Sequence, residues 1–319
     1  MKKILIIGAG AMGAAFAFPC LDNNHKVTLS EPYDLKLIKK LSFKKKFHPV
    51  LKLNLPKKLT IKKFSKEILN LKWDLIVVAV SSSGIDLVRK NLKNVKNKCP
   101  LLVLTKGLKY DKNSKKIITM SEQLNLGNKF IVSSLKGPCL ANELARKIKS
   151  STVIANKNLK VAKSIGKLIS TNYYQVEFSK DIRGVEISSA IKNIYSMIIG
   201  SGEGLNTSSS MFRKSISEMI YLIKYFKGKE ETIYGLAGIG DLYVSAMGGR
   251  NSKMGKYLGK GFTFKYAKKK FMPNDTIEGA QLASEIAPFI LKKINSKKIP
   301  LMLDLVKSIT KNKTLNIRW

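Results

Sequence analysis

Acid, arginine and cysteine are all scarce in this chain of 319 residues, and each shortage excludes something. Only 21 Asp and Glu stand against 59 Lys and Arg, a formal charge of +38, and six of those basic residues are arginine. The three cysteines, Cys20, Cys99 and Cys139, are odd in number and far apart. That pattern excludes a disulfide framework and lacks zinc-ligand spacing, so a reduced interior and no metal are expected. No apolar run reaches the length of a membrane span. Met1-Lys2-Lys3 before the apolar stretch 4–18 imitates a secretory leader. Three phased glycines inside it, and Asp22-Asn23-Asn24-His25 where a small-residue cleavage site would fall, argue against that reading. A cytoplasmic protein is expected. Repeats and low-complexity linkers are absent as well.

What is present is lysine and apolar side chains. Apolar residues make up 44% of the chain, enough for real cores, and the length favours two domains. So strong a positive charge raises the prospect of nucleic acid or a membrane surface. The lysines, however, are scattered over the whole length. In their densest stretch, residues 36 to 72, they alternate with Leu41, Phe43, Phe47, Leu51 and Leu53, as on solvated faces of folded elements. The charge is therefore read as compositional, and no nucleic-acid partner is expected. A positive field still draws a phosphorylated substrate.

The expected fold is α/β: an N-terminal doubly wound parallel sheet over residues 1–180 and an all-α domain over 181–319. Residues 3–7, 27–30, 75–80, 101–105 and 130–133 are short runs rich in Val, Ile and Leu, as strands buried on both faces require. Residues 84–92 and 114–124 read as intervening helices. After residue 181 the segments 184–199, 211–226 and 276–294 read as helices, and Pro300 can open a last one over 301–309.

Gly8-Ala9-Gly10-Ala11-Met12-Gly13 stands between the first strand and the first helix. Gly8 permits a tight turn, Gly10 lets backbone approach a pyrophosphate, and Gly13 allows close helix–strand packing. The helix then presents free N–H groups and its positive dipole end. Glu31, ending the second strand, is placed to accept from ribose hydroxyls and to repel a 2′-phosphate. NAD is thus the expected cofactor, with NADP as the alternative because lysines such as Lys36 lie nearby.

For the chemistry, Lys106 follows the strand 101–105 directly, where ligands of open α/β sheets bind. Lys192 lies off an apolar stripe formed by Ile187, Ala190, Ile191, Ile194, Tyr195 and Ile198, and in line with Ser188, Ser189 and Ser196. Desolvated near Lys106, it would serve as a proton shuttle. Two glycine-rich segments, 235–241 and 245–251, carry Asp241 and Arg250-Asn251. A guanidinium fork among so many lysines suggests phosphate recognition.

Taken together and in order, the glycine turn, Thr105-Lys106-Gly107, 137–143, Gly184-Val185-Glu186, Ala190-Ile191-Lys192-Asn193, Asn206-Thr207, 235–241, Gly249-Arg250-Asn251 and Ile277-Glu278-Gly279 resemble the NAD(P)-dependent glycerol-3-phosphate dehydrogenases over nearly the whole chain. The resemblance implies reversible hydride transfer between a nicotinamide and C2 of sn-glycerol 3-phosphate, giving dihydroxyacetone phosphate. It makes Lys192 the general acid/base, assisted by Lys106 and Asp241. Asn193, Ser245, Arg250 and Asn251 would hold the substrate, with Lys106, Gly137 and Cys139 near it. Ala11, Met12, Lys106, Ala141, Arg250 and Glu278 would approach the cofactor. A homodimer is the assembly the resemblance implies. Cys139 replaces the usual serine, and Lys136 stands where a small residue is more usual. The alternatives are another two-domain dehydrogenase of a small 2-keto or 3-hydroxy acid, and a basic nucleic-acid-binding protein that has lost catalysis.

Overall fold

β-Branched and leucine-rich runs flanked by turn formers become strands, and longer amphipathic stretches become the helices between them. The computed structural model describes residues 1–43, 45–96 and 98–317. The strands are β1 Lys3–Ile7, β2 Lys26–Glu31, β3 Phe47–His48, β4 Leu53–Asn54, β5 Thr60–Lys63, β6 Leu75–Val78, β7 Leu101–Val103, β8 Leu108–Asp111, β9 Lys116–Thr119, β10 Val132–Lys136, β11 Ser150–Ala155 and β12 Tyr174–Ser179. The helices of the first part are α1 Ala11–Asp22, α2 Leu35–Leu41, α3 Lys66–Asn70, α4 Ile85–Leu92, α5 Met120–Leu124, α6 Ala141–Ala145 and α7 Leu159–Ile169. Those of the second are α8 Ile182–Gly200, α9 Leu205–Tyr225, α10 Glu231–Tyr234, α11 Asp241–Ala246, α12 Arg250–Gly259, α13 Phe264–Phe271, α14 Glu278–Lys293 and α15 Pro300–Lys311.

Two compact units result: Met1–Lys106 with Met120–Ile182, and Gly107–Thr119 with Arg183–Trp319. The first carries an eight-stranded sheet in the order β12-β11-β10-β7-β6-β1-β2-β5. Every neighbouring pair is parallel except β10 with β11. Alternation along β1 puts Ile4 and Ile6 in the core that includes α1 and α7, and Leu5 and Ile7 in the one that includes α4 and α5. Burial on both faces is why these strands read as continuous apolar runs. The order reverses between β1 and β6, which makes the carboxyl ends of these strands the binding edge.

The segment 114–124 is not one helix. Residues 116–119 form β9 and pair with β8, and only Met120–Leu124 is helical. Asp111 organises the turn by accepting from the N–H groups of Asn113 and Ser114, and Lys115 adopts a left-handed φ of 53°. Tertiary pairing overrides a pattern that fits either period. The hairpin belongs to the second unit, whose Glu285 accepts from Tyr110 N–H at 2.9 Å. The strand expected at 130–133 lies later, at Val132–Lys136.

In the second unit α8 is the central element. Every residue from Gly184 to Gly200 is buried, so it has no solvent face at all. The expected stripe, with Lys192 off it, is corrected to burial all round. Ile187, Ile191, Ile194 and Ile198 are at most 1% exposed, each contributing about 1.5–3 kcal/mol by leaving water. Pro300 does open the last helix. Having no N–H itself, it leaves Leu301 and Met302 as donors, and both reach the buried carboxylate of Glu218 at 2.7 and 3.0 Å. The Tyr195 hydroxyl of α8 donates to the same carboxylate at 3.0 Å.

Burial pushes the Glu218 carboxyl up to about 7, against the pull of the two backbone N–H donors. A raised carboxyl favours the fold while protonated and works against it as pH climbs through the raised value. Glu218→Gln should therefore gain on the wild type in thermal stability between about pH 5 and about pH 8, by on the order of 3 kcal/mol. A stability difference that stays flat across that window would contradict the assignment.

Candidate active site

The glycine turn lies between β1 and α1. Gly8 has a φ of +110°, and a side chain there would meet the Ala79 carbonyl oxygen at 2.6 Å. A Cβ on Gly13 would come within 1.9 Å of the Gly8 carbonyl oxygen, so only glycine lets the helix approach the turn this closely. Gly10 caps α1 without any side-chain hydrogen bond, and no atom lies within 4 Å of where its Cβ would be. That open space before uncapped helix N–H groups fits a pyrophosphate. Gly13→Ala should lower affinity for NADH at least about tenfold, read by fluorescence titration. Unchanged affinity would show that the close approach is dispensable.

The peptide of Ala9 is gripped from both sides. Its N–H donates to Glu31 at 2.6 Å. Its carbonyl faces Nε2 of the buried His48 at 3.0 Å, while Nδ1 of that ring accepts from Leu51 N–H. The network thus assigns the proton to Nε2, and burial holds the imidazole below its ordinary pKa. The other oxygen of Glu31 accepts from the N–H groups of Tyr33 and Asp34. Glu31 is therefore first a brace of the turn, and any hydrogen bond to a ribose uses its remaining acceptor capacity. His48 gave no sequence signal, because the contact joins residues 39 apart.

Lys106 follows β7 and donates to the Gly137 carbonyl at 3.3 Å. Lys136, fully buried at the end of β10, donates back to the Val103 carbonyl at 2.9 Å. The two lysines thus lace together the carboxyl ends of neighbouring strands. Gly137, with a φ of +126°, and the partly buried thiol of Cys139, which is in no disulfide, come next, then Ala141 at the start of α6. Ala11, Met12 and Ala141 pack against the core of this unit.

In the second unit, α8 presents Lys192 to α11. A π-helical turn over Leu236–Gly240 delivers Asp241 as the first residue of α11. The Lys192 ammonium donates to Asp241 Oδ1 at 2.7 Å and also to the Ser245 hydroxyl, while Ser189 donates to Asp241 Oδ2 at 3.4 Å. Lys192 is 5% and Asp241 2% exposed. Burial strips water from the ammonium, and Asp241 supplies the compensating charge. Beside this cluster, Asn193 donates to Glu278 at 3.3 Å and accepts from Asn251 at 3.1 Å. Asn251 also accepts from Gly279 N–H, tying α12 to α14. Arg250, at the head of α12, keeps a half-exposed guanidinium 3.5 Å from Glu278.

Lys192, Asp241 and Ser245 are thus one cluster, adjoined by Asn193, Asn251, Arg250 and Glu278. Ser189, which the sequence put in line with Lys192, joins the cluster through Asp241. Among the described residues no group of three or more His, Cys, Asp or Glu side chains is set to hold a metal ion, and no helix is long and apolar enough to cross a membrane.

A dinucleotide turn in one unit and a buried lysine–carboxylate pair in a helical second unit mark a nicotinamide-dependent oxidoreductase. Family models carry this further: residues 3–162 match the N-terminus, and residues 181–317 the C-terminus, of NAD-dependent glycerol-3-phosphate dehydrogenase. The chain belongs to that family. It is 30% identical over 310 residues to an NADP(+)-dependent glycerol-3-phosphate dehydrogenase of Archaeoglobus fulgidus, covering 92% of this chain and 91% of that one. It is likewise 30% identical over 321 residues to glycerol-3-phosphate dehydrogenase [NAD(P)+] of Fusobacterium nucleatum, with 98% and 94% coverage. The crystal structure of glycerol-3-phosphate dehydrogenase from Coxiella burnetii superposes with a TM-score of 0.86 at 25% identity, covering 98% of this chain and 96% of that one.

Proposed function

We propose that the chain reversibly reduces dihydroxyacetone phosphate to sn-glycerol 3-phosphate, in the cytoplasm and as a homodimer, with Lys192 as general acid/base. The observation that carries the reading is the buried Lys192–Asp241 pair at 2.7 Å. A reduced nicotinamide, when bound, supplies the hydride. Lys192 donates a hydrogen bond to the C2 carbonyl oxygen and passes it a proton as C2 is reduced, and takes that proton back in the reverse direction. Asp241 stabilises the ammonium before transfer and orients it, together with Ser245 and Ser189. Lys106 assists by adding positive charge toward the developing alkoxide.

Arg250 clamps the phosphate through two parallel N–H donors, which a lysine cannot offer. Asn193, Asn251 and Ser245 bind the remaining phosphate and hydroxyl oxygens. Gly137 admits substrate close to the backbone, and Cys139 offers a thiol, a weaker donor than a hydroxyl. Gly8, Gly10, Ala11, Met12, Gly13 and Ala141 line the cofactor groove, and the family resemblance is what assigns Arg250 and Glu278 to the cofactor as well. Glu31 favours NAD over NADP by opposing a 2′-phosphate.

The test is a comparison of kcat/KM for dihydroxyacetone phosphate and ketopantoate with NADH and with NADPH. Turnover of the phosphorylated ketone alone is expected. Turnover of ketopantoate alone would overturn the substrate assignment. A clear NADPH preference would remove Glu31 from the choice of cofactor.

A further inference from the structure

We propose that the lysine-rich face formed by α2, the β3–β4 hairpin and β5 is a docking surface for an anionic lipid bilayer. Between residues 36 and 63 the chain carries eleven lysines and no aspartate, glutamate or arginine. Of the lysines described there, all but Lys46 are exposed. Lys46 instead fastens the segment, donating to the carbonyls of Lys57 and Leu59. Helix α2 packs on β3 and on β5, so these charges belong to one continuous region.

Charge alone would describe a solvated face. Three apolar side chains make this one different: Phe43, Phe47 and Val50 are 63%, 51% and 62% exposed. They cannot turn inward, because Leu41, His48, Leu51 and Leu55 already fill the inner positions. The backbone holds them out as well. Lys46 N–H closes a turn on the Phe43 carbonyl, Lys52 N–H closes one on His48, and His48 is itself anchored to Ala9. Outward-held apolar tips set among ammonium groups supply the two signals that surface binding to a bilayer needs: shallow insertion and attraction to acidic headgroups.

The composition favours lipid over nucleic acid. Lysine is a point charge suited to a diffuse anionic surface, whereas arginine provides the planar fork for individual phosphates and bases. Phe43 and Phe47 have rings on which a base could stack as well as insert into a bilayer, whereas Val50 serves only insertion.

The experiment is co-sedimentation of the full chain with phosphatidylcholine vesicles, with and without phosphatidylglycerol. Anionic vesicles should bind at least about tenfold more tightly than neutral ones, and added salt should weaken them. Phe43→Ser/Phe47→Ser/Val50→Ser should lose roughly tenfold in affinity. Lys292→Gln/Lys293→Gln/Lys297→Gln, which removes exposed charge from the other unit, should change it less than about twofold. If the triple serine variant fails to fold by thermal melt, Lys39→Glu/Lys58→Glu tests the same face by charge reversal and should show a comparable loss.

Absence of vesicle binding overturns the proposal. So does equal loss in the control variant, which would mean diffuse charge, or full binding by the apolar-tip or charge-reversal variants. Tight binding to single-stranded RNA that these variants weaken, with no vesicle binding, assigns the face to nucleic acid instead. A dimer that the apolar-tip variant dissociates, again without vesicle binding, assigns it to a second copy of the chain.

Discussion

Lys192→Met should lower kcat for dihydroxyacetone phosphate reduction by at least about a thousandfold while leaving NADH affinity within about twofold of wild type. Methionine preserves the length and packing of the side chain inside α8 but carries no proton. The two readouts come from different parts of the molecule. The dinucleotide turn, braced by Glu31 and His48, lies in the first unit, and Lys192 lies in the second. A fall in kcat with intact cofactor binding separates lost proton transfer from lost folding. If kcat stays within a few-fold, the acid/base role passes to another group.

Asp241→Ala should cost about 3 kcal/mol of stability as well as most of the activity. Lys192 and Asp241 are 5% and 2% exposed, so removing the carboxylate leaves the ammonium in a site water barely reaches. Lys192→Met/Asp241→Leu should recover much of the stability and none of the turnover, since replacing a buried pair by apolar side chains of similar volume is tolerated far better than breaking it. The double-variant cycle, followed by thermal and denaturant unfolding, isolates the pairwise term. A single Asp241→Ala variant as stable as wild type would show that the carboxylate does not hold Lys192.

The glycine turn was readable because its logic is local: strand, turn and helix follow one another within residues 3–22. Arg250 stood out as one of six arginines among 59 basic residues, and Asp241 as one of few acids, each in a glycine-rich segment, whereas Lys192 was singled out by a stripe that burial on all sides of α8 removes. What escaped was whatever depends on distant chain segments. The Ser114–Leu124 stretch supports a helical period, and only pairing with Leu108–Asp111 makes its middle a strand. An apolar stripe on α8 was visible, but burial on every side follows from the helices packed around it. Glu31 looked like a ribose acceptor, and its three backbone donors, one of them 22 residues away, appear only once β1 and β2 are paired. Glu218 sits in a helix that reads as amphipathic, and its role as a cap for α15 joins residues 83 and 84 positions apart.

The most direct test of the account is the decrease in absorbance at the nicotinamide band when dihydroxyacetone phosphate is added to wild-type protein and NADH, with the product identified by its stereochemistry. The account predicts one NADH oxidised per sn-glycerol 3-phosphate formed. A folded, NADH-binding protein that oxidises neither NADH nor NADPH with this substrate would contradict it.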